Sequence, residues 1–504
     1  MKINKVSNLV IKLSFKTSIF PTNNLYRMKK ISLFLVALFL VASHAIQANQ
    51  ADVPNFKWMK DVGAQTFPKS IKTYYANDYG AIGDAVFDCT ESIQKVIDQC
   101  ASHGGGTVSF HPGIYLTGSI FIKSNVIFNI PKGTMLLGSQ NISDYKQIPT
   151  RVAGIEMTWP AALVNVIGQQ NAAITGEGVI NGKGKVFWDK YHSMRKDYDS
   201  KGLRWIVDYD CERPRGILIS DCKNVTIKDI VVYQPGFWSL HILYSNHVTV
   251  DNIIISNNIE GQGPSTDGID IDSSSKILVQ NCNINCNDDN FCLKSGRDAD
   301  GLRVNRPCEY VVIRDCIAGY GDGLFTCGSE TSGGIHDIVA YNLKGIGTKT
   351  GLRFKSTIQR GGTIENIYLT NIEMIGVKYP LIVDLNWNPA YSTSKLPAGY
   401  NSDSIPEYWK KMLLPVDPKI GTPKFRNVYF NNIKATQALT CIRVTGVETE
   451  TIDNFQLKDA HFEGKEAGNI SWANDWVLDN FTVKAENNQP LVLENNKNVK
   501  PNYK

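Results

Sequence analysis

Two acidic runs stand close together in the chain. Gly263 to Asp272 reads GPSTDGIDID and Asn285 to Gly296 reads NCNDDNFCLKSG, which sets Asp267 and Asp288 21 residues apart with Asp289 next to the second. Three carboxyls crowded into one place cannot all ionise freely, so at least one is expected to hold its proton to higher pH. That mixture suits glycoside hydrolysis, in which one carboxylic acid protonates the leaving oxygen and a second carboxylate activates water or attacks the sugar. On a regular strand Asp288 and Asp289 would face opposite ways, so both reach one cleft only at a bend or bulge, which Asn287 and Asn290 favour. A third run, GLRFKSTIQRGG from Gly351 to Gly362, alternates Arg353 and Lys355 about Phe354. The two cations then leave one side of a strand while Phe354 turns inward. Paired cations beside an acidic cleft fit a substrate that carries carboxylates, with a salt bridge to a neighbouring strand as the alternative.

The elements that must position these residues are short and repeated. NVTIKDI, HVTVDNI, KILVQNC, YVVIRDC, DIVAYNL, NIYLTNI, NVYFNNI and NFQLKDA place an Asn or Asp at 229, 252, 281, 315, 342, 371, 432 and 459. Each unit alternates apolar and polar residues with period two, which predicts half-buried strands. A repeat of 23 to 34 residues with no helical period predicts an all-β, right-handed parallel β-helix, and the single gap of 61 is two coils or one coil with a long inserted loop. Equivalent residues of stacked coils form ladders about 4.8 Å apart, which sets Asp267 and Asp288 on one face of neighbouring coils. Leucine-rich and sandwich folds fit less well, because there is no Leu pattern and the repetition runs one way. The stretch CTESIQKVIDQCASHGGG from Cys89 to Gly106 predicts an N-terminal capping helix with Ile93, Val96 and Ile97 inward. The expected division is a leader over 1–45, a lead-in over 46–75, the β-helix over 76–485 and a tail over 486–504.

Whole-chain composition bounds the rest. The 504 residues carry 53 Lys+Arg against 48 Asp+Glu, with 42% hydrophobic and 20% charged residues, enough to bury a large core and too few charges for a disordered chain. The basic start at Met28, Lys29 and Lys30, the nearly unbroken apolar run Ile31 to Val41 and the small residues Ala42, Ser43, Ala45 and Ala48 predict a cleaved signal peptide, since an eleven-residue run is too short to span a bilayer. The protein is expected to be secreted or periplasmic. Without residues 1–45 the balance is 46 to 48, so neither a nucleic-acid partner nor a membrane span is expected. Eleven cysteines leave at least one unpaired within the chain, and Cys282, Cys286 and Cys292 lack zinc spacing and suit small-residue packing.

These motifs together resemble the polygalacturonase-type glycoside hydrolases, glycoside hydrolase family 28, from about Tyr79 to about Asn432. The family's Asn-Thr-Asp stands here as Ser265-Thr266-Asp267, its Asp-Asp as Asp288-Asp289 and its Arg-Ile-Lys as Arg353-Phe354-Lys355. The resemblance implies a right-handed parallel β-helix that cleaves pectic polysaccharide by inversion without cofactor or metal. Asp288 would be the general acid, Asp267 and Asp289 would hold and deprotonate the water, and Arg353 with Lys355 would grip a uronate carboxylate. KSGRDADG from Lys294, which makes Arg297 a substrate-binding candidate, and GSETSGG from Gly328 resemble the exo-acting bacterial and plant branch.

The chain departs from the family pattern where Gly-His-Gly is expected. Gly321-Asp322-Gly323 stands there, so Asp322 either takes over a hydrogen-bonding and substrate-binding role or adds a fourth carboxylate that disfavours an anionic sugar. This makes rhamnogalacturonan or another uronate-containing pectic chain the alternative substrate. Asn386, Trp387 and Tyr391 are candidates for the family's late substrate-contacting Tyr, and Trp238 and His241 in QPGFWSLH are further cleft candidates, with core packing as the alternative for Trp238. Insertions at 183–215 and 387–424, rich in Trp and Tyr, are expected to shape the cleft and stack sugar. The readings from other classes are a calcium-dependent lyase, drawing on Asp270, Asp272, Asp298 and Asp300, and a non-catalytic carbohydrate-binding solenoid.

Overall fold

Parallel strands in successive coils dominate the architecture of the computed structural model, which describes residues 53–502. The segment from Met28 that reads as a signal peptide lies outside the described residues. One row of the solenoid is formed by β1 (Ile217–Ser220), β2 (Leu240–Leu243), β3 (Ile269–Asp272), β4 (Phe291–Lys294), β5 (Gly323–Cys327), β6 (Thr350–Lys355) and β7 (Tyr379–Asp384). Each pairs in parallel with the next. A second row runs beside it, from Lys223–Lys228 through Asn246–Asp251, Ser275–Gln280, Cys308–Ala318, Ile335–Ile346 and Thr363–Ile375 to Lys424–Thr445. Inward-facing Ile, Val, Leu and Phe fill a single continuous core along the axis. Parallel pairing begins at Thr73–Tyr75 and continues to Lys500–Asn502, past both edges of the expected 76–485 span.

The repeated Asn and Asp make a bend on the far side of the second row, where its shorter strands end and its longer ones turn. Residues 229, 252, 281, 315, 342, 371, 432 and 459 all have φ between 50° and 62°. This left-handed backbone is one that Asn and Asp tolerate better than other side-chain-bearing residues. Their side chains also bond along the stack: Asn252 Nδ2 donates to Asp229 Oδ1 at 2.6 Å, Asn342 to Asp315 at 2.8 Å and Asn371 to Asn342 at 3.3 Å. Asn432 donates directly to Asn371 at 2.8 Å across the 61-residue gap, so that gap is one coil with a long insertion.

The first end is covered by α1 (Thr90–Ser102), whose Ile93, Val96, Ile97 and Cys100 are buried in the core. Ahead of it, residues 56–70 run across the coils as a strap. Phe56 packs on Tyr368 with centroids 4.8 Å apart and Trp58 on Tyr310 at 5.5 Å. Gly63 N donates to Lys276 O at 2.9 Å, Gln65 N to Asn224 Oδ1 at 3.0 Å and Thr66 Oγ1 to Asn171 Oδ1 at 3.1 Å. Among the described residues no helix is long and apolar enough to cross a membrane. All eleven cysteines are buried and unpaired, as small core residues would be.

Candidate active site

Strand register decides which side chains share the outer face of the first row. Alternate residues point inward, Ile269, Ile271, Phe291, Leu293, Phe325, Leu352 and Phe354 all lying in the core. The outward positions align as His241, Asp270, Cys292, Thr326 and Arg353 in one file, with Asp272 beside Lys294 in the next. Arg353 and Lys355 therefore do leave one side of β6, with Phe354 in the core. Asp267, Asp288, Asp289 and Asp322 sit just before β3, β4 and β5, and adjoining coils are stitched there by Gly268 N to Asp289 O at 2.8 Å and Asp322 N to Asp288 O at 2.7 Å. The chain bends at Asn287, Asp288 and Asn290, as expected for two adjacent aspartates to turn into one cleft.

Asp289 is gripped on both oxygens. Arg353 Nη1 donates to Oδ1 at 3.0 Å, Thr326 Oγ1 to the same oxygen at 2.8 Å, and Lys355 Nζ to Oδ2 at 2.8 Å. Space for this comes from Gly323, where a Cβ would stand 2.5 Å from Asp289 Oδ1. Although burial opposes charge here, Lys355 and Arg353 hold the Asp289 carboxyl well below the usual carboxylate range. Asp288 and Asp267 go the other way. Burial pushes both well up, reinforced at Asp288 by Asp267, Asp289 and Asp322, and at Asp267 by Asp270 and Asp289. The site thus joins a fixed anion to carboxyls that resist ionising.

These groups line one cleft of about 450 Å³ with Trp238, Lys294, Glu330, Asp322, Lys349 and Trp387. Asp322 stands at the rim, 3.1 Å from Lys349 Nζ and 3.6 Å from Arg353 Nη1, so its added charge is balanced and does not repel an anionic sugar unopposed. Trp238 forms part of the wall with Lys294 Nζ 5.0 Å from its ring centroid. Of the three candidates for the late aromatic contact, Trp387 and Tyr391 line the cleft and Asn386 does not. Lys355 Nζ lies 4.5 Å from the Trp387 ring centroid.

Two expected cleft residues lie elsewhere. His241 is fully buried behind the site, its Nδ1 2.7 Å from Arg215 Nη1 and its Nε2 3.5 Å from Asp272 Oδ2. With a guanidinium donating to Nδ1, the ring is neutral with its proton on Nε2 toward Asp272; burial lowers it to about 4. Arg297 is also fully buried and meets no cleft; it donates to Tyr209 Oη at 2.9 Å, Asp298 Oδ2 at 3.1 Å and Tyr391 O at 2.9 Å, which ties the second insertion to the solenoid.

The insertions meet the expectation in part. Arg195, Arg204 and Asp208 from the first, and Trp387, Asn388 and Tyr391 from the second, line the cleft. Trp188, Trp205 and Trp409 instead are buried in packing, so these rings offer no sugar-stacking face. Asp210 ties the insertions together, its Oδ1 accepting from Tyr408 Oη at 2.7 Å and Trp409 Nε1 at 2.8 Å and its Oδ2 from Tyr198 Oη at 2.9 Å.

The acids that a calcium site would draw on are engaged with protein cations. Asp272 pairs with Arg151 at 2.9 Å, Asp298 with Arg360 at 2.7 Å, Asp300 with Arg303 at 2.8 Å, and Asp270 faces Lys294 at 3.5 Å. Asp267, Asp289 and Cys292 bring one oxygen or sulfur each to within 4.8 Å of one another. Lys355 already takes Asp289 Oδ2, and burial holds the Cys292 thiol protonated, so this donor set suits a metal poorly.

The sequence model of glycosyl hydrolases family 28 matches residues 126–405, more than half of the chain. The chain belongs to glycosyl hydrolases family 28. Among curated relatives, a probable polygalacturonase of Vitis vinifera is 29% identical over 313 residues, covering 60% of each chain. An exo-poly-alpha-D-galacturonosidase of Dickeya chrysanthemi is 27% identical, covering 65% of this chain and 60% of its own. The match thus spans about 60% of the length of these two relatives. Among solved structures, an exopolygalacturonase from Thermotoga maritima aligns with a TM-score of 0.69 at 27% identity, over 87% of this chain and 94% of that one. The parallel β-helix is the fold of this family 28 member.

Proposed function

We propose that the protein is an inverting glycoside hydrolase that cleaves galacturonate-containing pectic chains, acting from a chain end. The observation that carries this is the pairing, in one cleft, of an Asp289 fixed as an anion by Arg353 and Lys355 with Asp288 and Asp267, whose burial side by side disfavours the ionisation of both at once. Asp288 donates its proton to the leaving glycosidic oxygen as the bond to the anomeric carbon breaks. A water held by Asp289 and Asp267 attacks from the opposite face and passes its proton to the ionised carboxylate of Asp267, which inverts the centre. The substrate carboxylate is met by the donors of Arg353 and Lys355 not spent on Asp289, and by Lys349 and Arg195 at the rim.

Action from a chain end draws support from the insertions, which are knotted together at Asp210 and build part of the cleft wall, and from the likeness to proteins named as exo-acting. The leader pattern at Met28 accords with export to where pectic polymers are met. The test is product analysis on polygalacturonan, rhamnogalacturonan and short oligogalacturonides, with absorbance followed near 235 nm. The expected outcome is small saturated products alone from the first minutes. A mixed ladder of oligomers would overturn end-wise action, an unsaturated product would overturn hydrolysis, and cleavage of rhamnogalacturonan alone would move the substrate to that polymer.

A further inference from the structure

Behind Asp267 lies a buried group of charges that the reaction scheme above does not use. Lys294, on β4, puts Nζ 3.3 Å from Glu330 Oε2, 3.5 Å from Asp270 Oδ1 and 3.7 Å from Asp267 Oδ2. Its side chain is 5% exposed, with Trp238 on one side. These neighbours come from two other coils: Asp267 and Asp270 from the start of β3, and Glu330 from the segment after β5. Cys292 on β4 also faces the group, and Asp288, Asp289 and Lys355 complete the charges around Asp267.

The arrangement is asymmetric. Asp267 has an ammonium within 4 Å; among the described residues Asp288 has no such ion pair, and its Oδ1 accepts only from Asp289 N at 3.0 Å. Asp270 is fully buried and neither oxygen has a hydrogen-bond partner, an environment that disfavours its ionised form and pushes it up to about 8. Glu330 is the reverse: despite burial, Lys294 and Arg360 hold it down at about 2, so it stays charged and anchors Lys294 from the far side. Because Arg360 Nη1 also stands 3.9 Å from Glu330 Oε1 and Asp270 is protonated, part of the Lys294 charge is left to act on Asp267.

We propose, resting on the hydrolase reading above, that Lys294 is a positioning residue that decides which of the two crowded carboxyls gives up its proton, leaving Asp267 as the base and Asp288 as the acid. Without that ammonium Asp267 loses the one cation within 4 Å of it among the described residues, while Asp288 keeps the hydrogen bond from Asp289 N, and a site with the proton on Asp267 has its acid and base reversed.

The test replaces the charge while keeping the length of the side chain. In Lys294→Met the acid limb of the kcat/KM profile, which reports ionisation of the base in the free enzyme, moves up by at least one pH unit, so activity at a pH on the wild-type limb falls about tenfold or more. Lys294→Arg leaves the limb where it is. A folded Lys294→Met protein with an unmoved limb overturns the proposal, since a packing role would lower activity at all pH values alike. If Lys294→Met does not fold, the wild type decides by carbon-13 titration of its aspartate carboxyls: Asp267 must ionise before Asp288, and the opposite order overturns the proposal. The titration needs no turnover, so wild-type protein inert on every uronate polymer would refute the proposed function while the order of ionisation still judged Lys294.

Discussion

At the scale of single residues, the chemistry rests on unequal treatment of like groups. Asp288, Asp289 and Asp267 share one residue type, and only the placement of Arg353, Lys355 and Lys294 makes them differ. Asp288→Asn retains shape and removes the transferable proton. Its kcat is expected to fall by about a hundred to ten thousandfold with no lowering of the thermal midpoint, the size of effect typical of losing a general acid; near-normal turnover would remove Asp288 from that role. The aspartates and the Arg-Phe-Lys run were legible because their spacing matches the coil and their types are costly to crowd. Lys294 and Glu330 were not singled out. One signal was available: Lys294 stands two residues after Cys292 and so leaves the same side of β4. His241 and Arg297 were misplaced because residue type alone does not decide burial at a single position, and a polar side chain near a cleft motif can equally be spent inside a charge network.

At the scale of elements, the two insertions act as one unit because Asp210 accepts three hydrogen bonds, two from the second insertion and one from the first. Hydrogen bonds to a charged acceptor are worth roughly 1.5–3 kcal/mol each. Asp210→Ala should release the insertions from one another, raising KM on short oligogalacturonides several-fold and letting internal cleavage products appear on polymer. An unaltered product pattern would show that the clamp does not set the mode of action. The strands were readable from period-two alternation and the corners from recurrent Asn and Asp. The insertions have no repeat to read, and their aromatic content pointed to sugar stacking where Trp188, Trp205 and Trp409 instead became packing. The 61-residue gap was ambiguous in sequence because length alone cannot separate an extra coil from a loop, whereas the Asn432 to Asn371 bond resolves it.

At the scale of the whole molecule, the buried charges set a pH window for stability. Glu330 and Asp272, both held at about 2, and His241, lowered to about 4, bind fewer protons folded than unfolded, so their contributions are present at higher pH and lost on acidification. For His241 the loss begins below about 6.5; for the two acids it begins below about 4. Asp270, raised to about 8, has the opposite sign: its contribution is full below about 4 and declines as pH rises to 8, where Asp267 and Asp288 add to the decline. Between about pH 4 and 6.5 the His241 and Asp270 slopes oppose each other. Thermal midpoints should therefore be highest in mildly acid solution and fall on both sides, and a midpoint rising steadily from pH 6 to 8 would contradict this. The strap bears on stability in another way. In a solenoid each repeat senses only its neighbours, so such arrays tend to fray coil by coil. Residues 56–70 run counter to the stacking direction, from the coil of Tyr368 to that of Asn171 and on to Thr107, which accepts or donates a 2.7 Å hydrogen bond with Ser70. A coil in the middle cannot open without loosening a tie that distant coils also hold, and the stack gains the all-or-none character of a globular domain from fifteen residues laid along its outside.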